Sequence, residues 1–238
     1  MNQIQEYKKS SAQVETDYFD SIINRSIGGW RAGRLKLDSV DELLDYYKRK
    51  YKGMNIDELC IKITQSQAKR SFGVGFITSI GGFALLPVQL TAGMAGTLII
   101  QARLISMMAK LNGLDLNAYE VRTLIKMLTL CSTYAEALKD VAADVGGRIV
   151  LRQLNRIPSA ALRSINKTLG VKLLTKAGKK SLISWVKIVP LIGGAIGGTI
   201  DYTITIKTGQ YAAKELKNFR KNSLDDLGEN ILLPPNLQ

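Results

Sequence analysis

"VPLIGGAIGGTID", Val189 to Asp201, places Gly193, Gly194, Gly197 and Gly198 in an apolar run and closes it with a carboxylate. Continued as a helix over 190–212, the stretch gathers Gly194, Gly197, Gly198, Asp201, Thr205, Thr208 and Ala212 within a narrow arc. Interior glycine costs about 1 kcal/mol relative to alanine, so four together ask for the close approach of a neighbouring helix. The GxxxG spacing occurs twice, as Gly193/Gly197 and Gly194/Gly198, and serves soluble cores and membrane interiors alike. "DYTITIKT", 201–208, also alternates as a strand would, yet no second strand is evident to pair with it. The fold that follows is all-α: a single multi-helix bundle with Gly-rich apolar central helices.

The arc places Asp201 on a packed face, and a carboxylate withdrawn from water needs a partner. Arg103 and Lys176 are the candidates. Arg103 is preferred, because helical spacing puts it on one face with Gly93 and Gly96.

Outward from this pair, 32 residues from Ser71 to Ala102 carry no charge. The run exceeds the length of about 20 residues that crosses a bilayer. Gly81-Gly82 and Pro87 divide it, which suits two buried helices meeting at a turn; the alternative is a segment that dips into or crosses a membrane. The helix begun at Pro87 reaches about Leu111 and stops at Asn112-Gly113. Ser39 with Glu42 forms a capping box for a helix over roughly 40–52, and "NIDELCIKITQSQAKR" continues as a second helix toward Arg70. Asn117 with Glu120 makes another capping box, for a helix running to Gly146-Gly147. Residues 1–37 are polar except for "DYFDSIIN" and read as a loosely attached N-terminal arm; 38–220 are the helical domain and 221–238 a C-terminal tail.

Net charge is +13, and ten basic residues with no acidic one lie within 145–200. Arg148, Arg152 and Arg156 recur every four residues, and Arg163 with Lys167 and Lys172 with Lys176 keep that spacing. Ile149, Leu154, Leu162, Ile165, Leu169 and Leu173 lie between them, so a cationic stripe runs beside an apolar one. Such a stripe is either the solvated face of core helices or a surface for anionic lipid headgroups. Lys179, Lys180 and Trp185 extend it toward the second reading. Nucleic acid is an unlikely partner, because no helix-turn-helix, RRM or zinc-finger signature accompanies the charge.

The chain has no histidine, which removes Ser-His-Asp and Cys-His catalysis and the histidine-containing zinc sets. Cys60 and Cys131 lack CxxC spacing and read as reduced, buried thiols. No metal and no cofactor is expected. The N-terminal stretch has no apolar segment of signal-peptide type, so a cytoplasmic location is expected.

Four blocks in order, "GFITSIGGFALLPVQLTAGMAGTLIIQARLI", "LNGLDLNAYEVRTL", "RIPSAALRSINKTLGVKLLTKAG" and "KIVPLIGGAIGGTID", resemble those of the EcsC protein family over about residues 40–215. Matching positions are Gly75, Gly82, Pro87, Gln101 and Arg103, then Gly113, Asp115, Val121 and Arg122. Pro158, Ile165, Asn166, Gly170, Thr175, Lys176 and Gly178 match in the third block, and Pro190, the four glycines and Asp201 in the fourth. Where many relatives place an acidic residue after the proline turn, this chain has Gly93. The resemblance implies a bacterial, mostly helical, membrane-associated protein, peripheral to the inner membrane, with no firmly assigned activity. It adds Asn166 to Arg103, Lys176 and Asp201 as a ligand-binding set.

Three functions are consistent with these features. The first is a binding protein that docks on an anionic membrane surface or a membrane protein complex through the basic stripe and apolar helices. The second is a hydrolase-type enzyme on a lipid or amphipathic substrate, with Asp201 as base and Arg103 or Lys176 as oxyanion stabiliser. The third is a membrane-inserting effector or pore former.

Overall fold

The computed structural model describes residues 19–32, 35–80, 86–129, 163, 165, 166, 169 and 190–226, with the backbone alone at 30–32, 35–37, 75–80, 86–95, 190–196 and 221–226. Its elements are α1 (19–28), a short hairpin of β1 (Trp30–Ala32) and β2 (Leu35–Leu37), α2 (Val40–Lys50), α3 (Ile56–Ile80), α4 (Leu86–Leu111), α5 (Tyr119–Thr129) and α6 (Pro190–Asp226). The fold is all-α, as expected; the antiparallel hairpin, with Trp30 opposite Leu37, is the exception that the sequence did not announce.

Local chemistry sets the helix ends. Ser39 Oγ accepts from Glu42 N while Glu42 Oε2 accepts from Ser39 N at 2.8 Å, the expected capping box. A second box opens α3, where Asn55 Oδ1 accepts from Glu58 N and Glu58 Oε2 from Asn55 N. The box expected at Asn117 and Glu120 does not form. Asp115 sits two residues earlier and its Oδ1 takes the Asn117 N–H at 2.9 Å, an Asx turn that outcompetes the cap, and α5 begins at Tyr119. At the end of α4, Gly113 (φ 82°) donates to Lys110 O and Leu114 to Ala109 O, a Schellman closure at the expected place.

The loosely attached arm is corrected for its second half. Phe19, Ile22 and Ile23 on α1 are fully buried in the common core, because "DYFDSIIN" presents its apolar residues at helical spacing. Ser26 ties α1 to α4 by donating to Ile99 O at 3.1 Å.

At the centre α6 lies along α3, and α4 packs against both. The break expected at Gly81-Gly82 and Pro87 is where α3 stops and α4 starts. "DYTITIKT" belongs to α6, a helix of 37 residues and so about 55 Å long. Among the described residues no helix is long and apolar enough to cross a membrane. Ile100, Ala102, Leu104, Ile105, Met107 and Met108 of α4 are buried in the protein's own core.

The glycines act where helices cross. A Cβ on Gly198 would lie 2.9 Å from the Phe72 ring and 2.9 Å from the Phe72 carbonyl oxygen. On Gly209 it would lie 2.5 Å from Thr64 Cγ2 and 3.1 Å from Leu104 Cδ2, so α3, α4 and α6 meet at that point. Gly96 of α4 faces Val74 of α3 in the same way. The side-chain surroundings of Gly193 and Gly194 lie outside the described residues.

Candidate functional site

Three polar clusters interrupt the apolar core. The first joins α3, α4 and α6. Thr97 Oγ1 donates to Asp201 Oδ2 at 3.0 Å, Thr205 Oγ1 donates to Ser71 Oγ at 2.9 Å, and Ser71 Oγ reaches the Asp201 carbonyl oxygen at 3.3 Å. Gln101 Nε2 lies 3.4 Å from Thr205 Oγ1. Ser71, Gln101 and Thr205 are buried, and Asp201 is partly exposed at the rim.

The second cluster surrounds Arg103, whose side chain is 2% exposed. Its Nη1 donates to the Asp38 carbonyl oxygen at 3.3 Å, while Nε has no hydrogen-bond partner among the described residues. Nearby, Gln67 Nε2 donates to Tyr47 Oη, which donates to Ser66 Oγ at 2.6 Å. Burial, and after it the Arg70 guanidinium, lowers the Arg103 pKa to about 10, which leaves the side chain charged at neutral pH.

The expected Arg103–Asp201 pair is therefore corrected: the two residues make no ion pair with each other. Arg103 does share a face with Gly96, but that face of α4 meets α3 at Gly96 and α2 at Arg103, where Asp38 and Tyr47 lie. The face that meets α6 carries Thr97, Gln101 and Leu104, roughly a quarter-turn or more away. A glycine on each of two helices identifies packing surfaces without identifying them as each other's.

The third cluster has a centre that the sequence reading does not single out. Lys126 of α5 is buried, with Nζ 2.6 Å from Asp20 Oδ1 of α1 and 3.0 Å from Asn166 Oδ1. Asn166 Nδ2 in turn donates to Tyr119 Oη and to Thr123 Oγ1, both at 2.8 Å. The amide of Asn166 thus turns its oxygen to a cation and its nitrogen to two hydroxyls, and joins α5 to the helical positions 163, 165, 166 and 169. Tyr119, Thr123 and Lys126 stand at i, i+4 and i+7, a polar stripe on one face of α5, and this spacing is available in the sequence as a signal.

Of the four expected ligand-binding residues, Arg103, Asn166 and Asp201 each sit in a separate cluster with no shared partner among the described residues, and Lys176 lies outside them. In the basic stripe, Arg163 is exposed and helical while Ile165 and Leu169 are 1% and 2% exposed, the polarity expected of that helix. Arg148, Arg152, Arg156, Lys167, Lys172, Lys179, Lys180 and Trp185 lie outside the described residues.

Cys60 is buried and unbridged, its thiol pushed up to about 12 by burial and then by Asp57. Among the described residues no group of three metal-ligating side chains comes together. A shallow cleft of about 230 Å³ lies apart from the three clusters, between Ile27, Leu114 and Leu116, with the Lys110–Asp41 ion pair at its edge. Comparison of the chain with family models, with curated proteins and with solved structures finds no match.

Proposed function

We propose that the protein is a peripheral membrane-binding helical protein, similar to the EcsC family, that docks on an anionic bilayer or on a complex within one through the cationic face of 145–200. The observation that carries this reading is the charge asymmetry of that segment, ten basic residues without an acid, together with the exposure of Arg163 and the burial of Ile165 and Leu169. A helix that turns its apolar side to the core has its cationic side free for a surface. Each such cation near an anionic bilayer contributes about 1 kcal/mol, so several in register suffice for reversible docking without a spanning segment.

The apolar helices take a smaller share in the reading than their composition suggests. Residues 100–109 of α4 are packed into the protein's own core, so docking rests on charge more than on lipid insertion of this helix. Flotation with phosphatidylcholine vesicles and with vesicles containing phosphatidylglycerol tests the proposal. Binding to the anionic vesicles alone, weakened by added salt, is expected. Absence from both floated fractions would overturn it.

A further inference from the structure

The turn between α2 and α3 carries a surface that the stripe at 145–200 does not include. "YYKRKYKGM", 46–54, ends α2 with Lys48, Arg49 and Lys50 and adds Lys52, all exposed. Cations in the last turn suit the helix dipole, which accounts for their sign. It does not account for their company. Tyr46 is 43% and Met54 37% exposed, and Gly53 (φ 88°) closes the turn so that Met54 stands just past its tip.

Most of the neighbouring carboxylates are already engaged. Glu42 and Glu58 close the capping boxes, Asp41 pairs with Lys110, and Asp57 pairs with Lys217 at 2.5 Å and Arg220 at 3.6 Å. Asp45, one turn before Arg49, is the one exposed acid here that neither caps a helix nor pairs with a cation among the described residues, against four cations. Lys48, Arg49, Lys50 and Lys52 make no ion pair with any described residue. Lys50 instead lies 5.3 Å from the Tyr46 ring centre and 5.6 Å from that of Tyr51. The α6 end that reaches Asp57 brings two cations for that one acid, so the positive excess continues around this end of the bundle.

We propose that this turn is a second membrane contact: Lys48, Arg49, Lys50 and Lys52 lie on anionic headgroups while Met54 enters among them and Tyr46 and Tyr51 rest at the interface. The proposal rests on the reading that the protein docks on an anionic bilayer, and assigns a part of that contact to a defined place. An excess of cations around an exposed thioether and two phenols matches a lipid interface in both charge and apolar depth. A purely polar polyanion would leave Met54 without a role.

The test compares the parent chain with K48Q/R49Q/K50Q/K52Q, R148Q/R152Q/R156Q and M54W on phosphatidylglycerol-containing vesicles. The turn positions are exposed, so the turn variants fold as the parent does, which circular dichroism checks. The quadruple turn variant is expected to lose affinity on the order of tenfold or more. M54W minus parent should show an added emission that shifts to the blue when the vesicles are added. If the parent floats and the quadruple variant binds equally well, the inference fails while the proposed function stands. A loss of affinity without the blue shift also overturns it, because the cations would then serve a polar partner. A parent that binds no vesicle overturns both.

Discussion

Thr97 Oγ1 donates a 3.0 Å hydrogen bond to Asp201 Oδ2 across 104 residues of chain, joining α4 to α6 beside the point where both meet α3. The carboxylate that closes the glycine run is thus held by a hydroxyl, not by the guanidinium expected from the sequence. Thr97→Val keeps the shape and removes the donor, and should cost about 1 kcal/mol in urea unfolding. Asp201→Asn keeps an acceptor and should cost less than Asp201→Leu. Equal losses for Asn and Leu would show that the negative charge, and not the acceptor, is what this position requires.

The glycines of the central helices should separate by what stands opposite them. Gly198→Ala meets the Phe72 carbonyl and ring and Gly209→Ala meets Thr64 and Leu104, so each should lose about 1–3 kcal/mol even after the helix-propensity gain of alanine. Gly96→Ala meets only a Val74 methyl and should be milder. A methyl group added to Gly73 of α3 would meet nothing within 4 Å, so Gly73→Ala should raise stability by about 0.5–1 kcal/mol. Thermal melts of the four variants check the order.

Asn166 is the most heavily bonded of the buried side-chain amides among the described residues, with Lys126, Thr123 and Tyr119 all bonded to it. Asn166→Ala should destabilise by about 1–2 kcal/mol, since it removes three hydrogen bonds at once while Lys126 keeps Asp20, Thr123 keeps the Tyr119 carbonyl and the exposed Tyr119 hydroxyl turns to water. Lys126→Met should cost less, as Asp20 is left at a partly exposed position where water reaches it. A double-mutant cycle between the two positions should give strong coupling; additive losses would show that the network does not act as a unit.

The Cys60 thiol gives an alkaline signature. Its folded pKa of about 12 lies above the ordinary value of about 8.5, so the folded state holds the proton that the unfolded state releases. Its contribution is fully present below about pH 8.5 and is lost as pH rises toward about 12. Cys60→Ala should therefore flatten the fall of stability over that window. The parent thiol should also resist thiol reagents until the chain unfolds.

Helix positions are legible wherever a local device sets them: the Ser39–Glu42 box, the Gly113 closure, and the interruption at Gly81-Gly82 and Pro87. Asn55 with Glu58 carries the same signature as Ser39 with Glu42 and is found only in the structure, while Asn117 with Glu120 carries it and is defeated by Asp115. Which helix faces which is not legible. Periodicity puts Arg103 with Gly96 and Asp201 with Gly198 correctly, but a one-dimensional pattern holds no record of the angle between two helices. Lys126 escapes notice because a lone lysine in "TLIKMLTLC" reads as a solvated break in an apolar face; its burial depends on Asp20 and Asn166, which come from remote parts of the chain.

The hydroxyl and amide contacts among Ser71, Gln101 and Thr205 also bear on alignment. Surfaces built of glycine and methyl groups are smooth along the helix axis, and one could slip past another by a turn, about 5.4 Å, with little change in buried area. Directional bonds at a single level act as a detent against that motion. A chain carrying Ser71→Ala and Thr205→Val would then melt lower, by the cost of the lost bonds, and also give doubled or broadened amide resonances along α6, the mark of a rod no longer keyed to one notch.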